Sequence, residues 1–123
     1  MLNNQQALSK WQAAASGNYS FILQQECYCS AEYLKPFYIV VRDYGKAEVR
    51  YLESNELVPD YVFQTTPTIE DIFRGINQAE TNGYGIQSEY NAYYGYPNYI
   101  FFSHSPQSSE DDIAYSISFF RAE

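Results

Sequence analysis

The sequence predicts an α+β fold in two layers, with an antiparallel sheet of about six strands and two helices packed on one face. Two segments of the 123-residue chain repeat apolar residues at helical spacing, and six segments alternate apolar with polar residues as half-buried strands do. Their order is α-β-β-β-α-β-β-β, with glycine and proline between them. This length fits one domain over residues 1–123, with residues 1–3 disordered or derived from cloning.

The first helix is predicted over residues 4–16. Its apolar stripe consists of Ala7, Leu8, Trp11, Ala14 and Ala15, and Ser16-Gly17-Asn18 ends it. We expect Trp11 to anchor this helix on the sheet. From Tyr19 the period changes to two, which predicts a strand running to Cys29 with Cys27 and Cys29 on its core-facing side.

A hairpin is predicted next, from residues 37–42 and 46–53. The turn between them is Asp43-Tyr44-Gly45, whose glycine can adopt the positive φ that a tight hairpin requires. Residues 54–67 contain Pro59 and Pro67, so we expect an irregular crossover there.

The second helix is predicted to begin at Thr68, where Thr68 and Asp71 resemble a capping box, and to end at Asn82-Gly83. Its apolar stripe consists of Ile69, Ile72, Phe73, Ile76 and Ala79. Strands are predicted over residues 84–90, 98–104 and 113–120, joined by a Tyr/Gly turn at 93–96 and a polar loop at 105–112. Each half is one helix and three strands, but residue identity between the halves is too low to support a duplication.

Charge and hydropathy exclude several classes of partner. The net charge of −8 repels phosphate backbones and anionic headgroups, so nucleic acid is not an expected partner. No run of 18 apolar residues is present, which excludes a transmembrane helix. No basic and apolar leader follows Met1, so the protein is either cytoplasmic or exported with its signal peptide removed. We favour export, because paired cysteines persist in oxidising compartments.

Cys27 and Cys29 are the only cysteines, and three states are open to them. A local disulfide needs a bulge or turn at Tyr28, since residues two apart in a regular strand are separated by roughly 6.6 Å. Two buried free thiols would pack as small apolar groups. A redox or metal site would need a lowered thiol pKa or further ligands, and His104 is the only histidine.

A tyrosine-rich turn is the candidate binding surface. Its residues are Tyr90, Tyr93, Tyr94, Tyr96 and Tyr99, clustered around Gly95 and Pro97. Tyrosines in such a cluster can anchor a protein interface or stack on sugars, or they can shape the turn and cover the end of the sheet. The acids at 110–112 are typical of a solvated loop, and Glu70-Asp71 suit the first turn of a helix. No catalytic residues and no cofactor are predicted.

Several motifs resemble the domain of unknown function 6174 family, small bacterial proteins often labelled lipoproteins. The motifs are Trp11 with Asn18-Tyr19-Ser20-Phe21, Cys27-Tyr28-Cys29, Val40 to Gly45, Thr68 to Phe73, Gly95-Tyr96-Pro97, and Asp111 to Ile117. The family pattern has an acid after the strand that follows Gly-Tyr-Pro, where this chain has Ser103-His104. The resemblance implies export, often with a lipid anchor upstream of this sequence, and it implies no activity.

We therefore expect a non-enzymatic cell-envelope domain that binds a protein or surface component through its sheet or its tyrosine-rich turn. The alternative is a thiol redox or metal-handling protein acting through Cys27 and Cys29. A third hypothesis is a small-ligand pocket between helices and sheet, lined by tyrosines.

Overall fold

The computed structural model describes residues 2–103 and 112–123. The helices are α1 (Asn4–Ala14), α2 (Asp60–Thr65) and α3 (Ile69–Asn82), with a 3₁₀ helix, η1, at Ala31–Tyr33. The strands are β1 (Tyr19–Cys27), β2 (Phe37–Arg42), β3 (Gly45–Tyr51), β4 (Gly85–Tyr90), β5 (Pro97–Ser103) and β6 (Ile113–Ala122). These confirm the predicted α+β class and the order of its two long helices and six strands.

The sheet is a single antiparallel layer in the order β3-β2-β1-β6-β5-β4. Two three-stranded meanders meet where β1 pairs with β6, from Tyr19 opposite Ala122 to Cys27 opposite Ile113. The first strand of the first meander is central, whereas the first strand of the second meander, β4, lies at an edge. The repeated order of elements therefore does not produce two equivalent halves.

The core lies between one face of this sheet and the three helices. Side chains of alternate strand residues point into it, as a period of two requires. The strands contribute Tyr19, Phe21, Leu23, Phe37, Ile39, Val41, Val49, Ile100, Phe102 and Ile117, and the helices contribute Ala7, Trp11, Val62, Ile69, Ile72, Phe73, Ile76 and Ala79. The predicted apolar stripe of α3 is buried in full, and the stripe of α1 is buried at Ala7 and Trp11.

Both long helices begin with a capping box. In α3, Thr68 Oγ1 accepts from the Asp71 N–H at 3.1 Å, and the Asp71 carboxylate accepts from the Thr68 N–H at 2.9 Å, as predicted. In α1, Asn3 and Gln6 make the equivalent pair of bonds. The helix ends differ: α3 stops at Gly83 with φ 74°, while α1 stops at Ala14 because the backbone is already extended at residue 15.

The β2–β3 turn corrects one prediction. Positive φ falls on Asp43 (53°) and Tyr44 (66°), and Gly45 is already the first residue of β3. Two consecutive positive φ values are what a type I′ hairpin requires, and neither is borne by the glycine. The turn is held by bonds to the α1–β1 connection: the Tyr44 N–H donates to the Gly17 carbonyl at 2.9 Å, and the Asp43 N–H donates to Asn18 Oδ1 at 3.0 Å.

The crossover at 54–67 is more regular than the sequence indicates. Pro59 directly precedes the six-residue helix α2, which buries Val62 in the core. At the C-terminal end of α2 the Lys46 ammonium donates to the carbonyls of Phe63 and Thr66, and the Phe63 carbonyl also accepts from Thr66 Oγ1 at 3.1 Å. Periodicity misses this helix because six residues are too few to display a stripe.

Candidate binding surface

The structure pairs Cys27 with Cys29 in a disulfide, with their Cα atoms 5.3 Å apart. Strand β1 ends at Cys27, which is half-buried, and the chain turns at Tyr28, whose side chain is 78% exposed. Cys29 is exposed, so the expectation that both cysteines face the core is wrong for Cys29. The disulfide thus closes a small loop at the point where β1 leaves the sheet and leads into η1.

Trp11 anchors α1 on the sheet and also bonds to α3. Its ring packs edge-on against Tyr19, with centroids 5.1 Å apart, and its Nε1 donates to Glu70 Oε2 at 2.9 Å. The Tyr19 hydroxyl donates to Glu70 Oε1 at 2.6 Å and accepts from the Ile69 N–H at 3.0 Å. Burial, and then the Glu70 carboxylate, raise the pKa of Tyr19. Glu70 of α3 therefore accepts hydrogen bonds from both α1 and β1 and joins the three elements. This role cannot be predicted from the position of Glu70 in the first turn of a helix.

Two tyrosines of the predicted surface pack inward. Tyr96 is buried and lies on Phe120, with ring centroids 4.6 Å apart, and Tyr94 contacts the same ring at 4.8 Å. Between them Gly95 has φ 87°, and a Cβ there would overlap the Ala7 carbonyl of α1. This part of the turn holds α1 against the end of the sheet.

The other three tyrosines occupy separate positions. Tyr90 stacks on Phe73 of α3 and its hydroxyl donates to the Asn4 side chain. Tyr93 is 75% exposed. Tyr99 pairs with Ser116 on the face of the sheet opposite the helices. Of the five, Tyr93 and Tyr99 are the ones left for contact with another molecule.

Two clefts flank α3. One, of about 230 Å³, lies between α3 and β5–β6 and includes Tyr84 and Tyr115 in its lining. The other, of about 510 Å³, lies between α1 and α3 over Trp11 and Phe73, beside Tyr44. The small-ligand hypothesis requires a pocket lined by tyrosines, and neither cleft is lined mainly by tyrosine.

Among the described residues, one face of the sheet carries no helix. This outer face is defined by the residues that alternate with the core. They are Ser20, Ile22, Gln24, Glu26, Tyr38, Val40, Arg42, Glu48, Arg50, Gln87, Glu89, Tyr99, Phe101, Ala114, Ser116, Ser118 and Arg121. Small side chains of β6 form its middle, at Ala114, Ser116 and Ser118. This strip of small side chains, here called the trough, has Tyr99 of β5 beside it on one side and, on the other, Ile22 and Gln24 of β1 followed by Tyr38 of β2.

The charge of the outer face differs from that of the whole protein. Three of the four arginines lie on it, at 42, 50 and 121, opposed by three glutamates at 26, 48 and 89. The face is thus neutral although the chain carries −8. None of the three lysines lies there, since Lys46 points to the helix side and Lys10 and Lys35 lie outside the sheet.

Several predicted features fall elsewhere. His104 and the acids at 110 and 111 lie outside the described residues. Within residues 2–103 and 112–123, no three His, Cys, Asp or Glu side chains come together as metal ligands would. In the same residues, no helix has the length and hydropathy needed to cross a bilayer.

The fold and this surface define a two-layer α+β domain with one open antiparallel sheet face. The chain belongs to the family of unknown function DUF6174, which matches residues 3–122. This confirms the family resemblance carried by the sequence motifs. Comparison with curated proteins and with solved structures found no significant match.

Proposed function

We propose that this protein is a non-enzymatic cell-envelope domain that binds another protein through the outer face of its sheet. The observation that carries the proposal is the combination of tyrosines, a strip of small residues and neutral charge on the sheet face that the helices of the described residues leave uncovered. Apolar side chains there, such as Ile22, Val40 and Phe101, are half-exposed. A protein partner is the occupant that such a surface suits.

The composition of the outer face supports a protein partner over a small ligand. Protein interfaces are enriched in tyrosine, phenylalanine and arginine and depleted in lysine relative to the rest of the surface. The outer face follows this part of the pattern, with Tyr38, Tyr99, Phe101 and three arginines but no lysine, whereas its glutamates, serines and alanine are residue types that interfaces contain less often. Tyrosine and arginine are also the residues that most often dominate binding energy.

The test is to obstruct the trough while leaving the core untouched. Ser118 points outward from β6 and is exposed, so Ser118→Arg adds bulk to the trough floor without entering the core. Ser9→Arg, the same change at an exposed position of α1, is the matched control. A photo-crosslinking residue at 118 should capture one dominant partner from producing cells, and a residue at 9 should not.

The captured partner is then purified and its Kd measured against both variants. Ser118→Arg should weaken binding at least about tenfold, equal to about 1.4 kcal/mol, and Ser9→Arg should leave it unchanged. Equal crosslinking at both positions, or equal affinity of both variants, would contradict the proposal.

Export is the second part of the proposal. It is supported by the Cys27–Cys29 disulfide, because reducing compartments keep such thiols free. Protein isolated from its native cells is unfolded without reductant, alkylated and weighed intact. We expect label on neither cysteine until a reductant is added. Label on both cysteines would point to a reducing compartment.

The same cysteine pair favours a second candidate function, thiol exchange. Cys29 is exposed, as an attacked or attacking sulfur must be. After reduction, a redox protein would show a thiolate that reacts quickly near neutral pH, whereas a binding domain would show two thiols of ordinary reactivity. The pH dependence of alkylation rate separates the two functions.

A further inference from the structure

A second surface lies at the end of the sheet where β1 and β3 finish, and we call it the end surface. It consists of η1 and residues 34–36, the stretch 51–58, and the first turn of α2. Contacts join these three segments: the Leu52 N–H donates to the Pro36 carbonyl at 3.0 Å, and the Tyr61 hydroxyl of α2 donates to Glu32 Oε2 of η1 at 3.0 Å.

One carboxylate on this surface, that of Glu32, interacts with Tyr61 and Tyr51 and adjoins Tyr33 in sequence. The hydrogen bond to Glu32, followed by burial and the charge of Glu32, raises the pKa of Tyr61. Burial, followed by the charges of Glu32 and Tyr33, raises the pKa of Tyr51. Tyr61 thus bonds to Glu32, Tyr33 follows Glu32 in η1, and the charge of Glu32 reaches Tyr51. Aromatic rings grouped around a carboxylate are the surroundings that a protein uses to hold an ammonium group.

An ammonium group of the protein itself already makes part of this contact. Lys35 Nζ lies 5.3 Å from the centroid of the Tyr51 ring, within the range of a cation–π interaction. Lys35 is otherwise exposed and forms no ion pair within the described part of the chain. Its position shows that this ring face is accessible to a cation.

The end surface carries both acidic and exposed apolar side chains. Its charged residues are Glu32, Glu53, Glu56 and Asp60 against Lys35, a local net charge of −3. No ion pair to any of these acids is formed among residues 2–103 and 112–123. Beside them Leu34, Leu52 and Leu57 are 40%, 43% and 61% exposed. Several exposed large apolar side chains on adjoining segments are typical of interaction sites.

We infer that the end surface docks a basic segment of a protein partner, with a lysine or arginine of that segment over the tyrosines beside Glu32 and its apolar side chains on the three leucines. Lys35 competes for the same ring. This surface is separate from the outer face, and the inference does not depend on the partner proposed there.

The probe is a fluorescein-labelled hexapeptide of alternating lysine and leucine, titrated into the full chain and followed by anisotropy. We expect saturable binding that weakens with salt, and no binding of the matched glutamate–leucine peptide. Absence of lysine–leucine binding up to about 1 mM, or equal binding of both peptides, would overturn the inference.

Two charge variants separate a local site from the general attraction of a −8 protein. Glu32→Gln should weaken binding about fivefold. Glu80→Gln, the same change at an exposed position of α3, should not weaken binding. Lys35→Ala should strengthen binding about threefold because it frees the Tyr51 ring, while Lys10→Ala, with the same loss of charge on α1, should not. If each variant matches its control, long-range charge alone accounts for binding and the inference fails.

A third pair of variants tests the ring itself. Tyr61 is 53% exposed, so both Tyr61→Phe and Tyr61→Leu should fold. Phenylalanine keeps the aromatic face and should bind the peptide within about twofold of the wild type, whereas leucine should lose about fivefold. Equal loss in both would show that the hydroxyl, not the ring, matters, which contradicts a cation–π site. Urea unfolding of every variant confirms that each retains the fold.

Discussion

At the scale of single residues, Glu70 shows how a charged group can serve the core. Both of its oxygens accept bonds from neutral donors, Trp11 Nε1 and the Tyr19 hydroxyl, on two other elements. Glu70→Ala would leave both donors without their partner, so we expect it to lower the free energy of unfolding by about 2 to 5 kcal/mol. Glu80→Ala, exposed on the same helix, should change it by less than about 0.5 kcal/mol. Urea unfolding followed by Trp11 fluorescence measures both; similar small losses would refute a structural role for Glu70.

Trp11 itself is a second residue-scale prediction. It is 2% exposed and packs against Tyr19, Tyr96 and Phe120. Trp11→Ala should cost about 3 to 5 kcal/mol, because a large cavity opens where three rings converge. Chemical unfolding followed by circular dichroism measures the loss. Lys10→Ala, at the exposed neighbouring residue, is the control and should hardly change the free energy of unfolding. A loss below about 1 kcal/mol would mean that the helix is held elsewhere.

At the scale of elements, alanine substitutions at two glycines with positive φ can distinguish the cost of backbone strain from the cost of steric overlap. Gly83 caps α3 with φ 74° and open space around its Cα, whereas Gly95 has φ 87° against the α1 backbone. Gly83→Ala should cost about 1 to 2 kcal/mol, the strain of a left-handed alanine. Gly95→Ala should cost about 1 to 3 kcal/mol more, because α1 must also move. Thermal and urea unfolding compare the two; equal losses would show that the turn yields without disturbing α1.

The disulfide constrains the exit of β1 and little else. Its loop is short, so replacing both Cys27 and Cys29 with serine should lower the free energy of unfolding by only about 1 to 2 kcal/mol. Amide hydrogen exchange should speed up at residues 28–36 and remain slow in β1 and β6. Global unfolding of the double variant would contradict this local role.

Elements were largely predictable because their signals are local. The observed bounds of β2 match the prediction, and the start of α3 was marked by Thr68 and Asp71. The sequence predicts the β2–β3 turn at the right residues but assigns its positive φ to Gly45. Composition cannot show that Gly17 bonds to Tyr44 and Asn18 bonds to Asp43, which hold those two residues in that conformation. The sequence does not predict helix α2, because six residues are too few to show a helical repeat of apolar residues. The two proposed binding surfaces are harder to predict from the sequence. The outer face and the end surface each combine residues that are distant in sequence and that only the folded chain brings together.

At the scale of the whole molecule, the tyrosines make stability depend on alkaline pH. Burial is the first cause that raises the pKa of Tyr19, Tyr51, Tyr90, Tyr96 and Tyr115. Since each folded pKa lies above the unfolded value of about 10, the unfolded chain releases these protons first. Stability should thus be full below about pH 10 and fall as pH rises further. Urea midpoints across that range measure the fall, and Tyr19→Phe should reduce its slope; a flat profile would contradict the burial of these phenols.

The order of the strands has a consequence for the route by which the chain folds. Each meander pairs neighbours in sequence, but β1 and β6 join residues 86 to 103 positions apart, from Cys27 with Ile113 to Tyr19 with Ala122. Closing so long a loop is entropically costly, so the two meanders can assemble early and meet late. Until they meet, β1 and β6 are both unprotected edges. Two chains at that stage can exchange meanders, each supplying β1 to the other's β6, and a domain-swapped dimer is the misassembly that this topology invites at high concentration.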